Sequence, residues 1–218
     1  MTSDRSLTAR DLACLWHPYT QMQTAPAPVP VVRGRGVYLY TEDGRRILDG
    51  ISSWWVNIHG HGHPHIAKAI ADQAAKLEQV IFAGFTHEAA ESLARKLVAI
   101  APARLDHVFF SDSGSTAVEV AIKMAVGAWH NRGKPRHRAI ALEHAYHGDM
   151  FGAMSVGARG VFNTAYAPML FDVSYLPFPE RGQEQKTIDA LKALLTAEPD
   201  AFAALIVEPL VQIGRAHV

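Results

Sequence analysis

The sequence predicts an α/β protein built on a mostly parallel sheet, and three observations predict it. Short, largely apolar runs occur at HVFF (107–110), AIAL (139–142), VSYL (173–176) and AALIVE (203–208), the last apolar until Glu208. Such runs suit strands buried on both faces. Between them stand segments whose apolar residues recur every three or four positions, the spacing of helices with one buried face. Strand and helix alternate along the chain, as a sheet linked by helical crossovers requires.

The elements follow in order. Residues 24–31, TAPAPVPV, are Pro-rich and extended. VYLYTEDGRRILD (37–49) predicts a hairpin: Val37 and Leu39 alternate with Tyr38 and Tyr40, Asp43-Gly44 turns the chain, and Ile47 and Leu48 resume. A Gly- and His-rich loop, GISSWWVNIHGHGHP, covers 50–64. Pro64 suits a helix first turn, and Ile66, Ile70, Ala74 and Leu77 keep helical spacing after it. A second helix runs from about Glu88 to Ile100, with Leu93 and Leu97 on one face, and stops before Pro102. HVFF is expected to be a buried strand. The stretch SDSGSTAVEVAIKMA (111–125) then opens a helix with Val118, Ala121, Ile122, Ala125 and Trp129 on one face. Thr187 to Leu195 is a helix with Ile188, Leu191 and Leu195 inward. No internal repeat and no low-complexity tract interrupts this order.

Bulk composition excludes several functions. The 218 residues carry 21 Lys+Arg against 21 Asp+Glu, without the basic excess of nucleic-acid or membrane-surface proteins. Cys14 is the lone cysteine, so no internal disulfide forms and a reducing compartment fits. The start, MTSDRSLTARDL, lacks a basic, then apolar, leader, and no apolar run of about 18 residues occurs. A cytoplasmic enzyme is the expectation.

Why should Ser111, Ser113, Gly114, Ser115 and Thr116 crowd before one helix? Capping explains part of it. The other explanation is an anion, since a helix start turns unpaired N–H groups and a positive dipole end toward one point. No Walker loop and no dinucleotide fingerprint occurs, so a phosphate here would belong to another cofactor. Asp112 with the SGS turn, Tyr146-His147 in AYHGD, and Glu208 all stand where strands are expected to end, the place where open α/β sheets bind ligands. Trp54-Trp55 is either partly buried core or an aromatic wall. Trp16, His17 and Tyr19 in WHPYT sit in a segment with neither helical nor strand pattern. His59, His61, His63 and His65 alternate in IHGHGHPHI. They suggest either a metal site or a turning loop, and the intervening Gly60, Gly62 and Pro64 favour the loop.

Together HPYT, DGISSWW, HGHGHP, FSDSGSTAVEVAIKMA, YHGD-FGAMS and IVEPLVQ resemble the N-terminal half of a class III aminotransferase dependent on pyridoxal phosphate, from about Leu15 to Gln212. DSGS and YHG belong to the wider class; WHPYT with SSWW resembles the branch that serves biotin synthesis. The resemblance implies a fold type I transferase acting as a homodimer with sites at the subunit interface. It implies Gly114, Ser115 and Tyr146 as cofactor-binding residues, and Tyr19, Trp54 and Tyr146 as substrate-binding ones. The implied reaction moves an amino group from S-adenosylmethionine to 8-amino-7-oxononanoate, giving 7,8-diaminononanoate. Another class III omega-amino-acid or diamine transaminase is the neighbouring reading. A non-enzymatic metal-binding His loop and an unrelated phosphate-binding α/β domain are readings from other classes.

Implied domains are an N-terminal arm and small-domain hairpin over 1–64 and an incomplete large cofactor domain over 65–212. None of Lys68, Lys76, Lys96, Lys123, Lys134, Lys186 and Lys192 stands in the strand-end context of the lysine that would hold the cofactor. No catalytic residue is therefore expected in this chain. Relatives continue after VQ with a Gly-rich stretch, whereas this chain reads IGRAHV, a translation of ATC GGA AGA GCA CAC GTC that resembles a sequencing adapter. Residues 213–218 are expected to be a non-native tail on an inactive fragment.

Overall fold

The computed structural model describes residues 6–210; the expected tail, 213–218, lies outside them. The chain divides by contacts into two compact units, one running to Glu91 and one beginning at Ser92.

In the first unit the Ser6 hydroxyl accepts the Ala9 N–H and starts a short helix, α1 (Leu7–Leu12). Three strands then form an antiparallel meander in the order β1 (Val31–Arg35), β2 (Tyr38–Thr41), β3 (Arg46–Leu48). The hairpin expected over 37–49 is β2–β3, with Leu39 opposite Ile47 and Gly44 at φ +85° in its turn. The Asp43 carboxylate accepts the Thr41 hydroxyl and the Arg45 side chain there. β1 begins at the last residue of the Pro-rich stretch of 24–31 and extends the sheet over residues to which the sequence assigned no element. The chain then makes one turn, α2 (Ser52–Trp55), before α3 (Pro64–Lys76), which has Pro in its first turn as expected. α4 (Glu88–Ile100), which matches its predicted span, begins in this unit and belongs mostly to the second. Thr41, 2% exposed, is the only buried residue of this unit among those described.

The second unit is layered. α5 (Gly114–Asn131) leads to β4 (Arg138–Leu142). α6 (Phe151–Val156) and a 3-10 turn (Thr164–Met169) precede β5 (Val173–Leu176), then α7 (Glu184–Ala197) and β6 (Phe202–Ile206) follow. The sheet order is β5-β4-β6 and every pairing is parallel, as the largely apolar runs predict. Central β4 is buried on both faces. Ile140 and Leu142 pack with Leu176 and Phe202 beneath Leu191 and Leu194 of α7. Ala139 and Ala141 pack with Val156 beneath Val118 and Ile122 of α5. The Trp129 indole N–H donates to the Ala203 carbonyl at 3.0 Å, which ties the end of α5 to β6.

One expected strand is absent. HVFF (107–110) is irregular, and Phe109 is exposed. An apolar run becomes a strand only with a ladder partner, and among the described residues no strand runs beside it. Of the two readings of Trp54-Trp55, core packing is not what the structure has: both are exposed.

Candidate active site

The loop before α5 resolves the crowd of hydroxyls. The Ser113 hydroxyl accepts the Thr116 N–H at 3.2 Å while Thr116 Oγ1 accepts the Ser113 N–H at 2.8 Å, a reciprocal capping box. Thr116 Oγ1 also accepts from Ser111 Oγ at 2.6 Å and donates to the Ser113 carbonyl at 2.9 Å. The Thr116 hydroxyl is therefore spent on the cap. The N–H groups of Gly114 and Ser115 are not: the first helical bond runs from Ala117 to Ser113, and no described group accepts from these two. A Cβ built on Gly114 meets nothing within 4 Å, so no neighbour packs against that side of the glycine. Capping thus engages Ser113 and Thr116 and leaves the N–H groups of Gly114 and Ser115 out of the capping box.

Ser115 faces the loop after β4. Its hydroxyl accepts the Asp149 N–H at 3.1 Å. Gly148 lies at φ +126°, and a Cβ there would fall 2.1 Å from Ser115 Oγ, so only glycine lets the loop approach so closely. Tyr146 is held at both ends. Its hydroxyl donates to Asp149 Oδ2 and its backbone N–H to Glu208 Oε2, each at 2.8 Å. Tyr146 as a whole is 41% exposed. Beside it His147 has its Nε2 buried without a hydrogen-bond partner. Burial lowers the His147 pKa, partly opposed by the charge of Glu208, so the ring is neutral at neutral pH. One turn into α5, Glu119 Oε1 accepts the N–H groups of Gly152 and Ala153 at 2.6 and 3.1 Å, docking the start of α6 onto α5. Asp149 thus links Ser115 to Tyr146, Gly114 directly precedes Ser115, and Glu208 holds Tyr146 alone. Asp149, Glu119 and Gly148 were not singled out from sequence; Asp149 had a signal, three residues after Tyr146 in YHGD.

Tyr19 and Trp54 belong to the first unit and meet there, ring centroids 5.3 Å apart and tilted 57°. The turn carrying Trp54 is left-handed over four consecutive residues, Ser52, Ser53, Trp54 and Trp55, with φ of 51°, 46°, 63° and 74°. Each such residue costs roughly 1–2 kcal/mol in an L-amino-acid chain, so outside contacts must hold the turn. Asp49 supplies them: Oδ1 accepts the Ser53 N–H and Oδ2 the Ser53 hydroxyl, both at 2.9 Å. Asp49 also meets His61 Nε2 at 2.8 Å. The Ser53 N–H and then the His61 bond hold the Asp49 carboxyl down at about 2. His61 is thereby committed, and among the described residues no three His, Cys, Asp or Glu side chains converge as a metal site would need.

The sequence profile of the family described as aminotransferase class-III matches residues 19–215. The chain is 53% identical over 204 residues to the adenosylmethionine-8-amino-7-oxononanoate aminotransferase of Synechococcus elongatus, covering 91% of this chain and 48% of that one. The fold resembles the crystal structure of the similarly named enzyme from Methanocaldococcus jannaschii, with TM-score 0.83, 35% identity, and coverage of 91% of this chain and 45% of that one. It also resembles a PLP-bound amine transaminase from an uncultivated Pseudomonas species, with TM-score 0.80, 32% identity, and coverage of 90% and 48%. The chain spans about half the length of the relatives it matches.

Proposed function

The chain belongs to the class III aminotransferases, and on that premise we propose that it forms the phosphate-binding half of a pyridoxal phosphate site in the transaminase of biotin synthesis. The carrying observation is the pair of N–H groups at Gly114 and Ser115 that no described group accepts, at the start of an 18-residue helix. A dianionic phosphate fits such donors and the helix dipole. When bound, pyridoxal phosphate supplies the electron sink through which one amine is released and another formed.

The chain's own residues have definite tasks in this reading. Gly114 and Ser115 donate backbone N–H groups to the phosphate. Ser115 Oγ accepts from Asp149, which leaves its own proton to donate. Tyr146 offers a ring face to the cofactor and the substrate, its orientation fixed by Asp149 and Glu208. Tyr19 and Trp54 line the substrate pocket. Burying the methylenes of 8-amino-7-oxononanoate against such rings is worth about 0.8 kcal/mol each, and the sulfonium of S-adenosylmethionine suits an aromatic face.

The wider proposal covers the whole protein. It is a cytoplasmic homodimer, consistent with the lone exposed Cys14, and no described helix is long and apolar enough to cross a membrane. Residues 1–64 serve its small domain and 65–212 its large one. Likeness to an amine transaminase favours a second reading, an omega-amino-acid or diamine substrate. Rates with S-adenosylmethionine against simple amines, on a protein extended to the length of its relatives, separate the two.

Pyridoxamine 5′-phosphate, which forms no adduct with stray lysines, tests the site in this chain. The phosphorylated compound binds and pyridoxamine does not. Gly114→Asp or Ser115→Glu sets a carboxylate beside the phosphate, and the repulsion of like charges weakens binding by about 10–100-fold. Equal binding of both compounds overturns the reading.

A further inference from the structure

We propose that Asp49 and His61 are positioning residues for Trp54, fixing the left-handed Ser52–Trp55 turn and with it the contact between Trp54 and Tyr19. The proposal deepens the substrate-lining role given above to Trp54 and Tyr19, and takes its functional meaning from that reading. Its structural content stands on its own.

The turn does not hold itself. It runs through four successive non-glycine residues at positive φ, and its own backbone bonds are few: Trp55 N–H to the Ile51 carbonyl, and the Val56 and Asn57 N–H groups to the Ser52 carbonyl. Among the described residues its outside hold is Asp49, whose carbonyl accepts the Ser52 N–H at 3.4 Å and whose carboxylate takes Ser53. Asp49 uses both oxygens, Oδ1 on the Ser53 N–H and Oδ2 on the Ser53 hydroxyl. Ser53 directly precedes Trp54, so the carboxylate controls the residue from which the indole departs.

The carboxylate is fixed in its turn by His61. The Asp49 and His61 side chains are 6% and 14% exposed, much more enclosed than the turn they hold. A proton on Nε2 lets His61 donate to Asp49 Oδ2 at 2.8 Å and leaves Nδ1 to accept from the Asn57 amide at 3.4 Å. His61 itself is locked to the sheet region. Its backbone exchanges both hydrogen bonds with Gly36, at 2.8 and 3.0 Å. A Cβ on Gly34 would come within 2.6 Å of His61 Cβ, so the imidazole sits against bare β1 backbone. Position passes from β1 and Gly36 through His61 and Asp49 to Ser53 and the tryptophan. Of the four alternating histidines, His61 alone makes this contact with Asp49.

The full chain labelled with 5-fluorotryptophan gives four fluorine resonances, one for each of Trp16, Trp54, Trp55 and Trp129. Trp54→Phe and Trp55→Phe assign the two that matter. Asp49→Asn and His61→Phe are expected to move the Trp54 and Trp55 resonances by more than their linewidths and to leave Trp129, in the second unit, in place. His61→Gln, which keeps an N–H donor, is expected to restore the parent positions. Unmoved Trp54 and Trp55 resonances in Asp49→Asn and His61→Phe overturn the proposal. So does Trp129 moving with them, which makes the pair a general prop of the fold. Failure of His61→Gln to restore the spectrum also overturns it, by showing packing in place of the hydrogen bond. No cofactor or substrate enters the measurement, so this proposal and the proposed transamination fail separately.

Discussion

His147 shows how one buried atom ties structure to pH. Its Nε2 lacks a partner, and burial lowers its pKa below the ordinary 6.5. In the unfolded chain the ring takes a proton near 6.5, and in the folded chain it does so only at lower pH. Between those values the unfolded state binds more protons, so stability falls as pH falls. Above 6.5 the effect is absent. Thermal melts of the second unit should therefore drop on acidification from pH 6.5, and His147→Gln should flatten that drop. An unchanged slope in the variant means that the imidazole is not held neutral. The neighbouring tyrosine teaches a different lesson. YHG in the sequence marks Tyr146 as an aromatic at a strand end, but its two restraints come from Asp149, three residues on, and from Glu208, 62 residues on. Nothing local in the sequence announces the second.

Glu119 plays the same long-range part for α6. Six residues, FGAMSV, are too short to signal a helix by period, and Met150 gives no side-chain cap. The cap arrives from α5, 33 residues earlier. Glu119→Ala should cost about 0.5–2 kcal/mol, as lost N-caps do. At about 1 kcal/mol it should speed hydrogen exchange at the Gly152 and Ala153 amides about fivefold. Unchanged exchange would show that α6 is held by packing alone. This contrast explains what the sequence made legible. α3, α4, α5 and α7 carry their period and their stops within themselves, and β4, β5 and β6 carry largely apolar runs. All were foreseeable. HVFF has the run but lacks the ladder, because pairing is a property of two segments. The left-handed SSWW turn was equally hidden: neither serine nor tryptophan favours positive φ, and the contacts that impose it come from Asp49 and His61.

Apolar burial is uneven along the chain. The second unit encloses β4 between α5 and α7, with Ile140, Leu142, Ala141 and Val156 out of solvent. The first unit buries only Thr41 among its described residues, and leaves Ile70, Ile81, Phe82 and Phe85 exposed. The predicted apolar stripes of α3 and α4 do form, yet Ile66, Ile70, Leu93 and Leu97 are all exposed. Surfaces of this kind associate. The isolated chain should bind a hydrophobic dye strongly and sediment as a mixture of assemblies. A monodisperse species with one sharp thermal transition would contradict this. The composition hinted at none of it, because 49% hydrophobic content is ordinary for a well-buried protein, and what covers a helix face is not written in that helix.

The grip of the α5 amides on phosphate is best followed at those amides. Pyridoxamine 5′-phosphate should be titrated into ¹⁵N-labelled chain while the backbone N–H resonances are observed. The largest shifts should fall on Gly114 and Ser115, saturating together and absent with unphosphorylated pyridoxamine. If the compound binds while those two resonances stay still, the phosphate lies elsewhere and the account is wrong.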